Sequence, residues 1–375
     1  MYQIKNIIQS SSVKYFYLSS LCVLELYGFL LTIISTFLLT SPSLAASIKS
    51  QRFDSNRNHL ESTKDWKYLL ADFPSGVMIQ KSLIPKLNQP DIFTNVNNPA
   101  LFGGIIPLGK EMPELKSQVR ALMAHYSFLK SGMFFLDIET GNYLNIDGEK
   151  VFPAASTIKY PILIALFEQV DAGKIKLDEK LVMRRDLVAS GSGDLQYKRA
   201  GIKLSVMETV NKMITISDNT ASNMIIDRIG GKAKLNQRFH AWGLKNTVIR
   251  NMLGDFKGTN TTSPADLVRL SALVDQHKLI SEGSQFQVLD ILRHCHNNKL
   301  LAAGVGKGGT IAHKTGDIGF LVGDAGIISF PNGKHYLAGI FVIRPHDDER
   351  GREFVRQVSR LVYQYLDQPQ LSQKY

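Results

Sequence analysis

The sequence predicts an α+β protein built on an antiparallel sheet. Three observations carry that prediction. A hairpin pattern opens the folded region, strand patterns return near its end, and a long run of helical spacing separates them. A sheet in which the first and last strands meet, with a helical insertion between, satisfies that order.

Taken in order, Pro99 to Gly109 is a loop rich in Gly and Pro. Apolar residues then recur at helical spacing from Met112 through Leu115, Val119, Leu122, Met123 and Tyr126, which predicts the first helix. Ser131 to Asp137, a Gly141-Asn142 turn and Tyr143 to Ile146 form the hairpin. Phe152 to Ala155 leads into a long apolar helix from Ser156 to about Val170, stopped by Asp171-Ala172-Gly173. Several helices follow to about His296. Strands are expected at Ile311–Lys314, Gly323–Phe330 and Tyr336–Ile343, the last two joined by the tight turn Pro331-Asn-Gly-Lys334. A final amphipathic helix carries Phe354, Val358, Leu361, Val362 and Tyr365.

The 375 residues, 44% hydrophobic and 21% charged, suit a soluble globular protein rather than a disordered or multi-span membrane chain. The formal charge of +11 favours either solubility alone or an anionic partner such as lipid or an acidic wall polymer. Basic residues are scattered and no aromatic-basic module occurs, so nucleic acid is not expected as a partner. With Cys22 and Cys295 as the two cysteines, no disulfide framework is available. The run His294-Cys-His296 points its side chains in three directions on a helix, so no metal site is expected there. Gly304-Val-Gly-Lys-Gly-Gly-Thr310 is not a phosphate loop, because glycine follows its Lys307.

Residues 1–45 read as an export signal. Lys5 and Lys14 precede an apolar stretch from Leu26 to Leu39, and Ser41-Pro-Ser-Leu-Ala-Ala46 supplies small residues suited to cleavage after Ala45. The long positive start and Glu25 beside the apolar stretch leave an uncleaved membrane anchor as the alternative. Either way the remaining chain is expected to work outside the cytoplasm, periplasmic or extracellular. Residues 46–98 are polar and aperiodic and read as a linker or extension, leaving 99–368 as one domain.

Three short motifs carry chemistry. In Ser156-Thr-Ile-Lys159, spacing by three places both side chains on one helical face. A lysine of depressed pKa can then take the serine proton, and free N–H groups at a helix start favour a developing oxyanion. In Ser217-Asp-Asn219, Ser217 can relay a proton to a leaving nitrogen and Asn219 can hold a substrate amide. In Lys314-Thr-Gly316, the lysine offers a fixed charge, Thr315 a hydroxyl and Gly316 room along a strand edge. Each motif alone is equally an ordinary helix start, turn or strand end.

Together and in this order they are the set found in class A β-lactamases and penicillin-binding proteins. From about Glu111 to Leu366 the sequence resembles the class A-type serine β-lactamase family. Supporting matches are Phe152-Pro-Ala-Ala-Ser-Thr-Ile-Lys159, Asp218-Asn-Thr-Ala-Ser-Asn223, Thr261-Thr-Ser-Pro264 and His313-Lys-Thr-Gly316. The resemblance implies a sheet flanked by helices, an all-helical lobe and a site in the cleft between them. It implies that Ser156 attacks a β-lactam or a peptidoglycan stem peptide, with Lys159 as base or proton relay and Ser217 passing the proton to the leaving nitrogen. Lys314 and Thr315 would hold the substrate carboxylate, Asn219 would brace the site, and the N–H groups of Ser156 and Asp317 would form the oxyanion hole. It implies neither metal nor organic cofactor, and a monomer.

The chain departs from the family's pattern at two places. The family's loop glutamate, which activates water for deacylation, has no counterpart in Thr247 to Pro264, where Asp255 is the sole acid. Gly254-Asp255 reads more simply as a turn. The family's arginine for the substrate carboxylate is also missing, Ala325 standing beside the Gly326 strand position. Arg344 and Arg350 are the candidates to supply it, each equally readable as a surface ion pair. Ready acylation followed by slow release, or release by another base, is the expectation. A β-lactamase, a D-Ala-D-Ala carboxypeptidase or esterase, and a sensor that stays acylated are the competing functions.

Overall fold

The computed structural model describes residues 101–368. The expected signal or anchor, the extension and the chain end lie outside them. Among the described residues no helix is long and apolar enough to cross a membrane.

The Gly- and Pro-rich start, expected as a loop, contains a small ribbon of β1 (Leu101–Phe102) and β2 (Ile106–Pro107). Helix α1 follows (Pro113–His125), then the hairpin of β3 (Lys130–Asp137) and β4 (Tyr143–Ile146). The C-terminal strands are β9 (Thr310–Asp317), β10 (Leu321–Ser329) and β11 (His335–Ile343). They join the hairpin in one antiparallel sheet of order β4-β3-β11-β10-β9. The first and last strands of this sheet, β3 and β11, therefore pair, as the element order predicts.

Alternation along β3 sorts the two faces of this sheet. Met133 and Phe135 point to one side, where Leu115 and Val119 of α1 meet Val355, Val358 and Val362 of the terminal helix α8 (Glu349–Asp367). Phe134 and Leu136 point to the other, against Ala265, Val268 and Ala272 of α6 (Pro264–Asp275). Both faces are covered, so the sheet strands are apolar nearly throughout.

The insertion forms the helical lobe. It comprises α2 (Lys159–Asp171), α3 (Val206–Thr215), α4 (Asn219–Ile229), α5 (Gly231–Ala241) and α7 (Glu282–Arg293). Helix α2 is its axis: ten of its residues are buried, from Lys159 through Gln169, in a cluster with Val210, Ile214, Ile225 and Leu292. A helix apolar all round must be wrapped by others. Short ribbons β6–β7 (Lys180–Val182 with Lys203–Ser205) and β5–β8 (Phe152–Pro153 with Thr261–Thr262) tie its loops down. These two-residue and three-residue pairings have no period long enough to be read from sequence.

Candidate active site

Ser156 lies where the sheet lobe meets the axis of the helical lobe. The expected helix start at Ser156 is a single 3-10 turn, Ala155–Ile158, and the α-helix proper begins at Lys159. Ala155 is in the left-handed region at φ 47, as is Ser217 at φ 58. Non-glycine residues held there are strained and concentrate where function demands it. The tight turn still leaves Ser156 and Lys159 on one side. Lys159 Nζ is 3.1 Å from Ser156 Oγ, 3.0 Å from Ser217 Oγ, 2.6 Å from Ser217 O and 2.8 Å from Asn219 Oδ1.

Four oxygens thus surround an amine that, as an ammonium, has only three protons to donate. Lys159 is fully buried. Burial holds it well below the ordinary lysine range, the Lys314 cation pushes the same way, and the Asp218 carboxylate pushes back. A neutral Lys159 donates two hydrogen bonds and accepts one, so one of the two serine hydroxyls can give it a proton.

Ser217 and Asn219 are brought there by Asp218. Its side chain caps α4, accepting from Ala221 N at 2.8 Å, and its other oxygen accepts from Leu195 N at 2.9 Å. The tripeptide is therefore both the ordinary helix start it resembled and part of the site. Asn219 Nδ2 donates to Ser190 O at 2.9 Å, and Asn223 one turn on clamps Leu253 through both backbone groups.

The third motif sits on β9. Lys314 pairs with Ala325, on the sheet face that carries Ala155 and Phe152. It is buried, and that burial lowers its pKa on balance, against the smaller opposing effects of Cys295 and Asp324. Its ammonium donates to Thr315 O at 2.8 Å. Gly316 supplies room, but to the protein itself. A Cβ there would stand 2.9 Å from Ala155 Cβ and 3.0 Å from Ser156 N, so the strand can press directly on the turn that carries Ser156. His313 and Thr315 alternate to the other face. There His313 Nδ1 bonds Asp324 at 2.9 and 3.0 Å, and Cys295 Sγ lies 3.9 Å from Thr315 Oγ1. Burial opposes a charge on His313, yet Asp324 outweighs it and raises its pKa. His313 stood in a recognised motif, but Asp324 gave no local signal, because only strand register brings the two together.

The two candidate arginines are both engaged elsewhere. Arg344 is buried and donates to Asp317 at 2.8 and 3.1 Å, to Gly319 O and to Asp348 O. Arg352, which the sequence did not single out, reaches the same carboxylate at 2.6 Å. Arg350 is paired with Asp348 and lies over the Phe128 ring. Asp317 is thus fixed at the strand end by two guanidinium groups. Asp255 accepts from Thr259 Oγ1 at 2.8 Å and from Asn260 N at 2.7 Å, closing its own loop as the turn reading predicts. Among the described residues no cluster of three or more His, Cys, Asp or Glu side chains could hold a metal.

These site groups lie within a stretch of chain that a known family model matches. The model for the beta-lactamase enzyme family matches residues 114–366. The chain belongs to that family. Extended-spectrum beta-lactamase PER-1 of Pseudomonas aeruginosa is 26% identical over 231 residues, 57% of this chain and 75% of that protein. Beta-lactamase BRO-1 of Moraxella catarrhalis is 25% identical over 250 residues, 63% of this chain and 80% of its own. Among solved structures, PBP-A is 51% identical, with a TM-score of 0.69 over 70% of this chain and 99% of PBP-A. A point mutant of PBP-A, solved as an acyl-enzyme complex with penicillin G, matches equally well. The β-lactamase of Sphaerobacter thermophilus is 27% identical at a TM-score of 0.63. The family's fold is the one described above, a five-stranded antiparallel sheet with helices on both faces and a helical lobe.

Proposed function

We propose that this chain is an exported serine hydrolase that forms an acyl-enzyme with β-lactams at Ser156 and hydrolyses them. The observation that carries the reading is the buried Lys159 amine, 3.1 Å from Ser156 Oγ and held well below the ordinary lysine range.

The steps follow from the groups present. Neutral Lys159 takes the Ser156 proton as Oγ attacks the β-lactam carbonyl. The N–H groups of Ser156 and Asp317 receive the oxyanion, and Gly316 lets the two backbones approach. Protonated Lys159 lies 3.0 Å from Ser217 Oγ, so its proton can pass through that hydroxyl to the departing nitrogen. The ring opens, and the acyl group remains on Ser156. Lys314 and Thr315 are the groups for the substrate carboxylate, since Arg344 and Arg350 are already paired. Water must then attack the ester with help from a base. Asp255 is committed to its own loop, so release falls to Lys159 or to an unassisted water. Losing a dedicated base costs roughly 10²–10⁴-fold in the step it serves.

That engaged Asp255 favours a second reading: a D-Ala-D-Ala carboxypeptidase or esterase on the same scaffold, which β-lactams acylate and leave slowly. Mixing the purified chain with a chromogenic cephalosporin separates the two. A burst equal to the enzyme followed by steady turnover, both lost in Ser156→Ala, supports the β-lactamase. A burst without turnover, alongside release of D-alanine from a stem-peptide mimic, supports the peptidase. A lasting adduct with neither activity fits a sensor.

A further inference from the structure

Behind the Lys314 strand lies a buried acid–base pair that the proposed steps do not use. The side chains of His313 and Asp324 are both fully buried. Asp324 Oδ1 accepts from His313 Nδ1 at 2.9 Å, and Oδ2 lies 3.0 Å from the same nitrogen and accepts from Leu301 N at 3.1 Å. In the β9–β10 register Lys314 pairs with Ala325 and Thr315 with Asp324. The carboxylate therefore stands one residue from the partner of Lys314, on the opposite face of the sheet. Among the described residues Lys314 Nζ has one acceptor, Thr315 O, which leaves two ammonium protons for others.

A buried charge needs a counter-charge. Lys314 feels Cys295, past α7, and Asp324, on β10, both of which favour its charged form against burial. Two further cations face it, Lys159 on α2 and His313 on its own strand. Asp317 at the strand end is already held by Arg344 and Arg352. His313 sets how much of the Asp324 charge reaches Lys314. As an imidazolium it neutralises the carboxylate, but its Nε2 then carries a proton with no hydrogen-bond partner among the described residues, and a buried donor left unpaired is costly. Once that proton leaves, Nδ1 still donates to Asp324, and the pair carries a full negative charge behind Lys314. We propose that Asp324 is a positioning residue acting through Lys314: freed by loss of the His313 Nε2 proton, its charge keeps Lys314 an ammonium for the substrate carboxylate as pH rises. The proposal rests on Ser156 being acylated and on Lys314 receiving that carboxylate.

The test is the acylation of the full chain by benzylpenicillin across neutral to alkaline pH. In Asp324→Asn the alkaline limb moves to lower pH by about one unit, so the second-order rate at a pH on that limb falls about tenfold. The fall lies in the saturation constant rather than in the limiting rate. His313→Asn, whose amide can donate as Nδ1 does but takes no charge, leaves the limb in place. If Asp324→Asn does not fold, His313→Asn combined with Asp324→Asn gives an uncharged pair and shows the same shift. A limb that stays in place without the Asp324 charge overturns the proposal, and so does an equal shift in His313→Asn, which would make the pair a tie between strands. An unchanged saturation constant in Lys314→Ala overturns the role of Lys314 instead, and no acylation of the unsubstituted chain overturns the acyl-enzyme reading itself.

Discussion

In the proposed mechanism the chemistry turns on Lys159, whose burial disfavours the protonated form. Lys159→Met should slow acylation by roughly 10²–10⁴-fold while leaving the fold intact, as judged by stopped-flow rates and a thermal melt. Protonating the amine removes the base, so acylation should decline on the acid side as Lys159 takes up a proton. Asp218 supports the charged form. Asp218→Asn, which keeps a capping oxygen, should lower the Lys159 pKa further and move that acid limb to lower pH. A limb that stays in place removes Asp218 from the account. Gly316→Ala tests the contact between strand and nucleophile. Its methyl would press on Ala155 and Ser156 N, and the acylation rate should drop by about 10²-fold, the cost of misplacing a reacting group.

At the scale of elements, the sheet and helix α6 are fastened by a titrating pair. His335 at the start of β11 bonds Asp275 at the end of α6 at 2.8 Å. The bond and the carboxylate charge raise the His335 pKa against its partial burial. Burial would raise Asp275, but the bonds from His335 and Gln276 and the charges of His335 and His277 together outweigh it and lower the carboxyl. A raised histidine stabilises the fold fully below its unfolded pKa of about 6.5, and that contribution is lost as pH rises through the folded value. The lowered carboxyl stabilises above about pH 4 and loses its contribution as pH falls. Asp275→Asn should therefore cost about 1 kcal/mol at pH 5.5 and less at pH 9, measured by urea unfolding at both. An equal loss at both pH values would mean that packing alone joins the two elements. Helix α3 offers a simpler case: Ser205 and Glu208 form a complete capping box, and Ser205→Ala should cost about 1 kcal/mol.

For the whole molecule, the order of elements was enough to foresee a sheet closed by its first and last strands. Strand alternation and helical spacing are local patterns, and β3, β10, β11 and α8 stand where those patterns place them. Ser156, Lys159, Ser217, Asn219 and Lys314 were legible because each lies in a short motif. The groups that tune them were not. Asp324 meets His313 through strand register, and Arg352 meets Asp317 across 35 residues. Such partners are set by tertiary packing, which no window of sequence contains. Arg344 shows the same limit from the other side. From sequence it read equally as a substrate ligand or an ion pair, and packing seals it against Asp317.

The central claim, a serine made acylable by a buried neutral lysine, is tested most directly by the intact mass of the protein after brief exposure to benzylpenicillin. The account predicts the added mass of one whole β-lactam, located at Ser156 by peptide mapping and absent from Ser156→Ala. An unmodified mass, or an adduct on another residue, would contradict it.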